Sequence, residues 1–401
     1  MTRRALYALA VIFAFALGTA AQSKGCNEPA ASVSVSLSLP SSPFTAVPSA
    51  DGCWGFVSMT GGRGTRPGIA VVKRFGGKLN VDHTVDLTSA PAGIVLTHDG
   101  KLLIAAAMQK TLFIDTGKLM KGDSDAVVGS IGGGRGAIYA NVTPDDKTLF
   151  VSQEDGGYIT VIDLESARRD GFNDDAVIGQ IPVGLAPIAL TFSPDAKYLY
   201  TTSEVAALDW NWPKACKREG SLAPATALAD PEGAVVGIDV ARARTDPAHA
   251  VLARVPAGCS AVRIAMSPSG DRIYVTARNS NAVVAFDTSR LISDAAHAQV
   301  AKAPTGDAPV PVAVVDQGRK VIAGNSNRFA AGNAPQSMVA LDAANFDKGA
   351  GAVLGIILAG AFPREMRVSA DERTLFLTNF GSNSLLMLDI SRLPIESKPL
   401  Q

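Results

Sequence analysis

The stretch that decides the fold runs from Ser260 to Asp287 and reads SAVRIAMSPSGDRIYVTARNSNAVVAFD. It contains an apolar run, a turn of the Ser-Pro-Asp-Gly type, a Tyr-Val-Thr run, a polar loop and a last apolar run ending in Asp. The pattern occurs seven times, with its third turn residue at Asp51, Asp99, Asp145, Asp195, Ser269, Gln317 and Asp371. Repeats of this length are typical of solenoids and propellers, and short strands separated by turns favour the propeller.

The number of strands predicts how the ring closes. Each unit supplies an inner strand A, then B and C, but only six outer D strands follow. We place these D strands at residues 79–87, 126–131, 176–183, 251–255, 300–304 and 353–358. The missing strand is residues 32–39, SVSVSLSL, which alternate strictly. We therefore predict an all-β, seven-bladed propeller with four-stranded blades, a single domain over residues 22–401 closed by its N-terminal strand.

The first residues predict export. Arg3 and Arg4 precede an apolar run from Ala5 to Leu17, and small residues follow. This is typical of a cleaved signal peptide over residues 1–21, so we expect a periplasmic or secreted protein. We expect no lipid anchor, because Lys24 stands two residues before Cys26. We expect no membrane insertion, because no later segment has about 18 unbroken apolar residues.

Charge and cysteine usage limit the possible partners. Lysine plus arginine equal aspartate plus glutamate at 37 each, which gives no basic excess for nucleic acid. The four cysteines predict two disulfides, since Cys26 and Cys53 fall on the bottom of the ring and Cys216 and Cys259 on the top. Free thiols or a metal site are the alternatives. No CxxC motif is present, and we expect no cofactor.

The fourth unit carries an insertion. Asp195 and Ser269 are 74 residues apart, and the excess is residues 204–232, which we expect to project from the top face. Long loops in compact domains are usually functional. Trp210 and Trp212 within it are candidates for the cover of a ligand pocket; the alternative is that they pack onto the blade.

Superposing the units gives two sets of candidate site residues. At the channel, Arg263 and Glu365 replace small or apolar residues and either pair with each other or face a ligand. At the top end of strand B, the neighbouring blades three to five present Glu154, Glu204 and Arg278. They could act as acid, base and anion holder, bind calcium, or form a solvated salt bridge. The further top-face candidates for binding are Arg135, Asn325 and Arg364.

The repeats resemble the YVTN-type family of exported bacterial β-propellers. The matching stretches are 193–202 (SPDAKYLYTT), 273–276 (IYVT) with 281–287 (NAVVAFD), and 362–379 (FPR…LFLTN). The resemblance covers nearly all of the chain after the signal peptide and implies fold more than function. More distantly, the chain is similar to seven-bladed lactonases of the 6-phosphogluconolactonase type.

These observations lead to three functional hypotheses. The first is a non-enzymatic propeller whose top face binds a small molecule, a cell-surface glycan or a protein. The second, implied by the lactonase resemblance, is a hydrolase using Glu154 or Glu204 with help from an arginine. The third is a calcium-stabilised structural protein. A histidine-based metal site or triad is not expected, because the four histidines show no HxxxH or HExxH spacing.

Overall fold

The computed structural model describes residues 25–62, 64–217, 227–328 and 336–393. The predicted signal peptide and the middle of the insertion lie outside these ranges. Seven four-stranded antiparallel sheets form a ring of blades, and the first strand of the chain belongs to the last blade. The prediction of a seven-bladed propeller closed by the N-terminal strand is confirmed.

The strands follow the predicted A-B-C-D order in every blade. The closing strand is β1 (Ser34–Ser38). Blade 1 is β2 (Pro43–Pro48), β3 (Trp54–Met59), β4 (Gly68–Phe75) and β5 (Lys78–Asp86). Blade 2 is β6 (Ile94–Leu96), β7 (Leu102–Ala107), β8 (Lys110–Asp115) and β9 (Val127–Ile131). Blade 3 is β10 (Ala137–Val142), β11 (Thr148–Gln153), β12 (Tyr158–Asp163) and β13 (Val177–Pro182). Blade 4 is β14 (Leu185–Phe192), β15 (Tyr198–Val205), β18 (Ala234–Asp239) and β19 (Val251–Pro256), with the small pair β16 (Lys214–Cys216) and β17 (Asp230–Pro231) in its insertion.

The remaining blades continue the same order. Blade 5 is β20 (Ala261–Met266), β21 (Arg272–Ala277), β22 (Ala282–Asp287) and β23 (Gln299–Pro304). Blade 6 is β24 (Pro309–Val315), β25 (Lys320–Asn325), β26 (Ser337–Asp342) and β27 (Val353–Leu358). Blade 7 is β28 (Pro363–Val368), β29 (Thr374–Asn379) and β30 (Ser384–Asp389), completed by β1.

The aspartate that ends strand C begins a short helix in four blades. The helices are α1 (Thr116–Lys121), α2 (Leu164–Asp170), α3 (Val240–Ala243) and α4 (Thr288–Ser293). In each, the aspartate carboxylate accepts the backbone N–H three residues later, as Asp287 does from Arg290. This capping satisfies an N–H that lacks a partner inside the helix, and it explains why the repeat ends in Asp.

The turn between strands A and B is held by its serine or threonine and its aspartate. In blade 4, the Ser193 hydroxyl donates to Asp195 at 2.7 Å and accepts the N–H of Tyr198 at 3.0 Å. Asp195 also accepts the N–H of Lys197. These side chains replace the backbone partners that a tight turn lacks, so the Ser-Pro-Asp signature is explained by the fold without a functional role.

A buried hydroxyl from strand B joins each of five blades to the next. It donates to a carbonyl in, or two residues before, the next blade's strand A, in the pairs Ser58–Ala92 (2.6 Å), Ser152–Ile188 (2.7 Å), Thr202–Val262 (3.1 Å), Thr276–Val310 (2.7 Å) and Thr378–Phe44 (2.8 Å). Four of these hydroxyls also accept an N–H from their own strand A. We call these contacts the hydroxyl latches. The Thr378–Phe44 latch joins the last blade to the first.

The ring is closed by three further contacts near the N-terminus. Strand β1 pairs with β30 from Ser34↔Leu388 to Ser38↔Ser384. The predicted disulfide Cys26–Cys53 ties the preceding segment to blade 1. Buried Arg74 of blade 1 donates to the Glu28 carbonyl at 2.8 Å and to Thr374 of blade 7 at 2.7 Å. Together these contacts satisfy a sheet edge that would otherwise be open.

The hydrophobic core is divided among the interfaces between neighbouring blades. One cluster, for example, contains Val275 and Phe286 of blade 5 together with Tyr200 and Val235 of blade 4. Each blade thus buries its faces against its neighbours, as expected for radially repeated sheets. None of the helices in the described ranges has the length and apolar character that a membrane span requires.

Candidate functional site

A polar cavity of about 220 Å³ lies at the top mouth of the central channel. The top face is the one that carries the D–A and B–C connections. Residues of blades 3 to 7 line the cavity: Glu154, Ile188, Glu204, Val262, Arg263, Arg278, Val310, Arg328 and Arg364. Four arginines against two glutamates give this lining an excess of positive charge. Arg328 is exposed and lies in the loop after β25, at the rim.

A repeated backbone feature positions the side chains around the mouth. A residue at the start of strand A is left-handed in five blades: it lies just before the strand at Gly136, Ser260, Ala308 and Phe362 and is the second strand residue at Ala186. In the four blades where it precedes the strand, its carbonyl accepts the N–H of the residue that follows strand B in the same blade. Glu154 donates in this way to Gly136 at 2.8 Å, and Arg278 to Ser260 at 2.9 Å. This hydrogen bond fixes the backbone at Glu154 and Arg278, whose side chains line the cavity.

The floor of the cavity is a buried network that crosses the channel. Arg263 of blade 5 donates from Nε to Glu365 of blade 7 at 2.7 Å, and both side chains are nearly inaccessible. Tyr139 of blade 3 donates to the same carboxylate at 3.0 Å and accepts a hydrogen bond from Arg367. Burial raises the pKa of Tyr139 to about 12, which keeps its hydroxyl protonated. The sequence left two possibilities for Arg263 and Glu365, pairing with each other or facing a ligand. The structure shows that they pair.

Glu154, Glu204 and Arg278 face the same cavity from neighbouring blades. Arg278 donates to Glu204 at 2.7 Å, so the Glu204 carboxylate is already neutralised by a partner. Burial, and next the negative charge of Glu204, raise the pKa of Glu154, while Arg364 opposes that shift. Within the described residues, the Glu154 carboxylate has no hydrogen bond or ion pair. It is the one carboxylate of the lining without a partner there.

Arg364 is held by aromatic rings instead of a carboxylate. Its guanidinium lies 4.3 Å from the ring centre of Phe44, 5.6 Å from that of Phe362 and 5.9 Å from that of Phe380. We call these three residues the phenylalanine cage. Among the described residues, Nε of Arg364 is buried without a hydrogen-bond partner. Burial, and next the positive charge of Arg263, lower the pKa of Arg364 to about 9, so it remains charged at neutral pH.

The backbone is strained at Phe362, which lies beside Arg364 at the mouth of the channel. Phe362 has φ of 52°, whereas the other left-handed residues before strand A are glycine, alanine or serine. A bulky residue with positive φ is unusual and costs of order 1 kcal/mol or more. The Phe362 ring packs edge-on against Phe380 at 5.6 Å and on Arg364. These contacts of the Phe362 ring within the cage offset the cost of its strained backbone.

Several predicted site residues lie away from the cavity. Trp210 and Trp212 contact each other at 5.3 Å and pack against the blade 4 core, and Arg254 covers Trp210. The two tryptophans therefore pack onto the blade, which was the alternative expectation, and they do not line the cavity. The disulfide Cys216–Cys259 joins the insertion to the next D–A loop, as predicted.

The two remaining polar candidates also have other surroundings. Arg135 is exposed, and its backbone N–H donates to Gln153. Asn325 is buried and accepts from the Gly306 N–H while donating to Ser337, so its amide is used within blade 6. Among the described residues, no three histidine, cysteine or acidic side chains converge in a way that could hold a metal ion.

Sequence reasoning missed the phenylalanine cage, although one signal was present. Five residues before the first turn residue, the units carry Phe44, Ala92, Ile138, Ile188, Val262, Val310 and Arg364. Six are apolar, and only the last is charged. An arginine at a repeat position that is apolar in every other unit indicates that its charge is used at that place in the structure.

Fold and site together define the class: a seven-bladed β-propeller with a charged cavity at the mouth of its channel. No protein-family model and no curated protein matches the sequence. Among solved structures, the chain is similar to Kuenenia stuttgartiensis hydrazine synthase, with a TM-score of 0.64 and 18% identity. The match covers 88% of this chain and 96% of that one. At this identity the likeness concerns the fold alone.

Proposed function

We propose that this protein is an exported β-propeller that binds a small anionic ligand in the cavity at its top mouth, without catalysis. The observation that carries the proposal is Arg364, a cation that faces the cavity with its Nε unpaired. A buried unpaired donor costs about 1–3 kcal/mol, and a carboxylate or phosphate oxygen would satisfy it.

The charges around Arg364 support the same ligand. Arg263, Arg278 and Arg328 all lower the pKa of Arg364, which means that these cations repel it. An anion placed among them relieves that repulsion, and in a partly buried site each close charge pair is worth more than in water. Arg263 contributes a second buried nitrogen, Nη2, that has no hydrogen-bond partner in the part of the chain that the structure describes.

Cavity size restricts the ligand to a small molecule. A volume of about 220 Å³ lies below the usual range for drug-sized ligands. For a ligand of about six heavy atoms, the ceiling on binding free energy is roughly 9 kcal/mol. We therefore expect dissociation constants between about 1 μM and 1 mM.

Export is part of the proposal, and two observations support it. Both disulfides are typical of oxidising compartments. The predicted signal peptide over residues 1–21 agrees with them. The YVTN-type resemblance fits the same setting, since its members are exported propellers.

The test is isothermal titration at low salt with acetate, lactate, succinate and inorganic phosphate. Arg364→Met keeps an apolar stem within the cage and removes the charge. We expect it to weaken binding about ten- to a hundredfold, since charged hydrogen bonds contribute about 1.5–3 kcal/mol. Exposed Arg290 on α4 gives a matched control, and Arg290→Met should bind like the parent. Equal affinities for Arg364→Met and the parent would contradict the proposal.

A lactonase-like hydrolase is the second candidate, favoured by the raised pKa of Glu154 beside Glu204. Such a carboxyl can serve as a general acid. A panel of five- and six-membered lactones, followed by pH-stat titration, tests it with Glu154→Gln as the inactive variant. Hydrolysis that is lost in this variant would establish the enzyme over the binding protein.

A further inference from the structure

The cavity presents two charges of opposite sign that lack partners, and they do not pair with each other. Among the described residues, Arg364 makes no ion pair, and neither does Glu154. Each nevertheless affects the pKa of the other in the direction expected for opposite charges. The space between them is part of the same cavity.

Charge is also segregated around the mouth. The two glutamates come from blades 3 and 4, whereas the four arginines come from blades 5 to 7. Ile188, Val262 and Val310, from the A strands of blades 4 to 6, also border the cavity, but their side chains are almost fully buried. The accessible lining is therefore polar, with an acidic side and a basic side.

We propose that the bound anion is one end of a small zwitterion: an amino acid whose carboxylate binds Arg364 and whose ammonium group binds Glu154. This inference rests on the proposed function and specifies its ligand.

Other ligand charges fit this lining less well. A simple carboxylate satisfies Arg364 but leaves Glu154 without a partner and adds a second negative charge near it. A dicarboxylate increases that repulsion, because like charges in a site of low polarity repel strongly. A purely cationic ligand would meet the four arginines. Only a ligand with both charges satisfies both unpaired groups.

The proposal predicts opposite pH dependences for matched ligands. The charged groups that act on Glu154 are Glu204 on β15, neighbouring Asp155, Arg263 on β20 and Arg364 on β28. An ammonium group beside Glu154 favours its ionised form, so binding releases a proton and affinity rises with pH up to the pKa of free Glu154. A simple carboxylate favours the protonated form, so its affinity falls as pH rises above the pKa of free Glu154 towards the higher pKa of the complex.

The experiment is isothermal titration of the full exported chain with pairs that differ only in the amino group. Alanine is compared with lactate, and β-alanine with 3-hydroxypropionate, at about pH 5 and about pH 7.5, where the amino groups stay protonated. We expect the better amino acid to bind at least about tenfold more tightly than its hydroxy partner at the higher pH. Glu154→Gln should weaken amino-acid binding and strengthen hydroxy-acid binding. The exposed Glu165→Gln on α2 is the matched control and should change neither.

The outcomes separate this inference from the proposed function. If the hydroxy acids bind through Arg364 and both amino acids bind no better, the zwitterion is wrong and the anion site stands. If Glu154→Gln affects the two ligands of a pair equally, the zwitterion is also wrong. If no anion of either panel binds, both proposals fail.

Discussion

Replacing Thr378 by valine should destabilise the whole ring. The Thr378 hydroxyl donates to the Phe44 carbonyl at 2.8 Å and accepts the Glu365 N–H at 3.1 Å, in a site that is 1% exposed. Valine has nearly the same shape, so the change leaves two buried backbone groups without partners. At about 1–3 kcal/mol for each unsatisfied group, we expect a loss of roughly 2–6 kcal/mol in unfolding free energy.

Urea unfolding followed by tryptophan fluorescence and by far-UV circular dichroism measures this loss. Thr276→Val removes the equivalent latch between blades 5 and 6 and should cost a similar amount. Exposed Thr84 on β5 gives a control, and Thr84→Val should stay within about 0.5 kcal/mol of the parent. A loss below about 0.5 kcal/mol for Thr378→Val would refute the view that the latches hold neighbouring blades together.

Three other predictions concern closure, the disulfides and acid stability. Deleting residues 32–38 should lower the melting temperature of the entire ring by several degrees, because blade 7 loses its outer strand; an unchanged melting temperature would contradict closure by β1. Replacing Cys26 and Cys53 by serine opens a loop of sequence separation 27 and should cost about 3.5 kcal/mol in a urea titration, whereas a cost near zero would show that the disulfide is not needed for closure. Although burial opposes ionisation of Asp99, hydrogen bonds led by that from Arg168 lower its pKa to about 2. Its contribution is therefore present above about pH 4 and is lost as pH falls towards 2, so an acid titration of Asp99→Asn should show a shallower loss of stability than the parent.

The fold could be predicted from sequence because each residue that recurs in the repeats has a local structural role. Serine and aspartate complete the A–B turn, the threonine of strand B forms the latch, and the final aspartate caps a helix. Ring closure could be predicted because the number of strands is a topological constraint. Exact ends are harder, since residues 32–39 were expected to pair and β1 spans only Ser34–Ser38.

The candidate site was predicted less completely, because it depends on contacts across the channel. Register arguments identified Glu154, Glu204 and Arg278 as neighbours, and the structure places all three around one cavity. Register alone could not show that Arg364 would sit among three phenylalanines, since Phe44 is over 300 residues away in sequence. Trp210 was a natural candidate for a pocket cover, yet its ring packs on blade 4.

The central claim is that an anion binds at Arg364, and a high-resolution crystal structure with bound β-alanine tests it most directly. Crystals are soaked at about ten times the dissociation constant measured in solution, so that the site is largely occupied. We predict carboxylate density within about 3 Å of the Arg364 guanidinium, with the ligand's nitrogen toward Glu154. A cavity that holds only water, with β-alanine bound elsewhere or with Arg364 paired to a protein carboxylate, would contradict the claim.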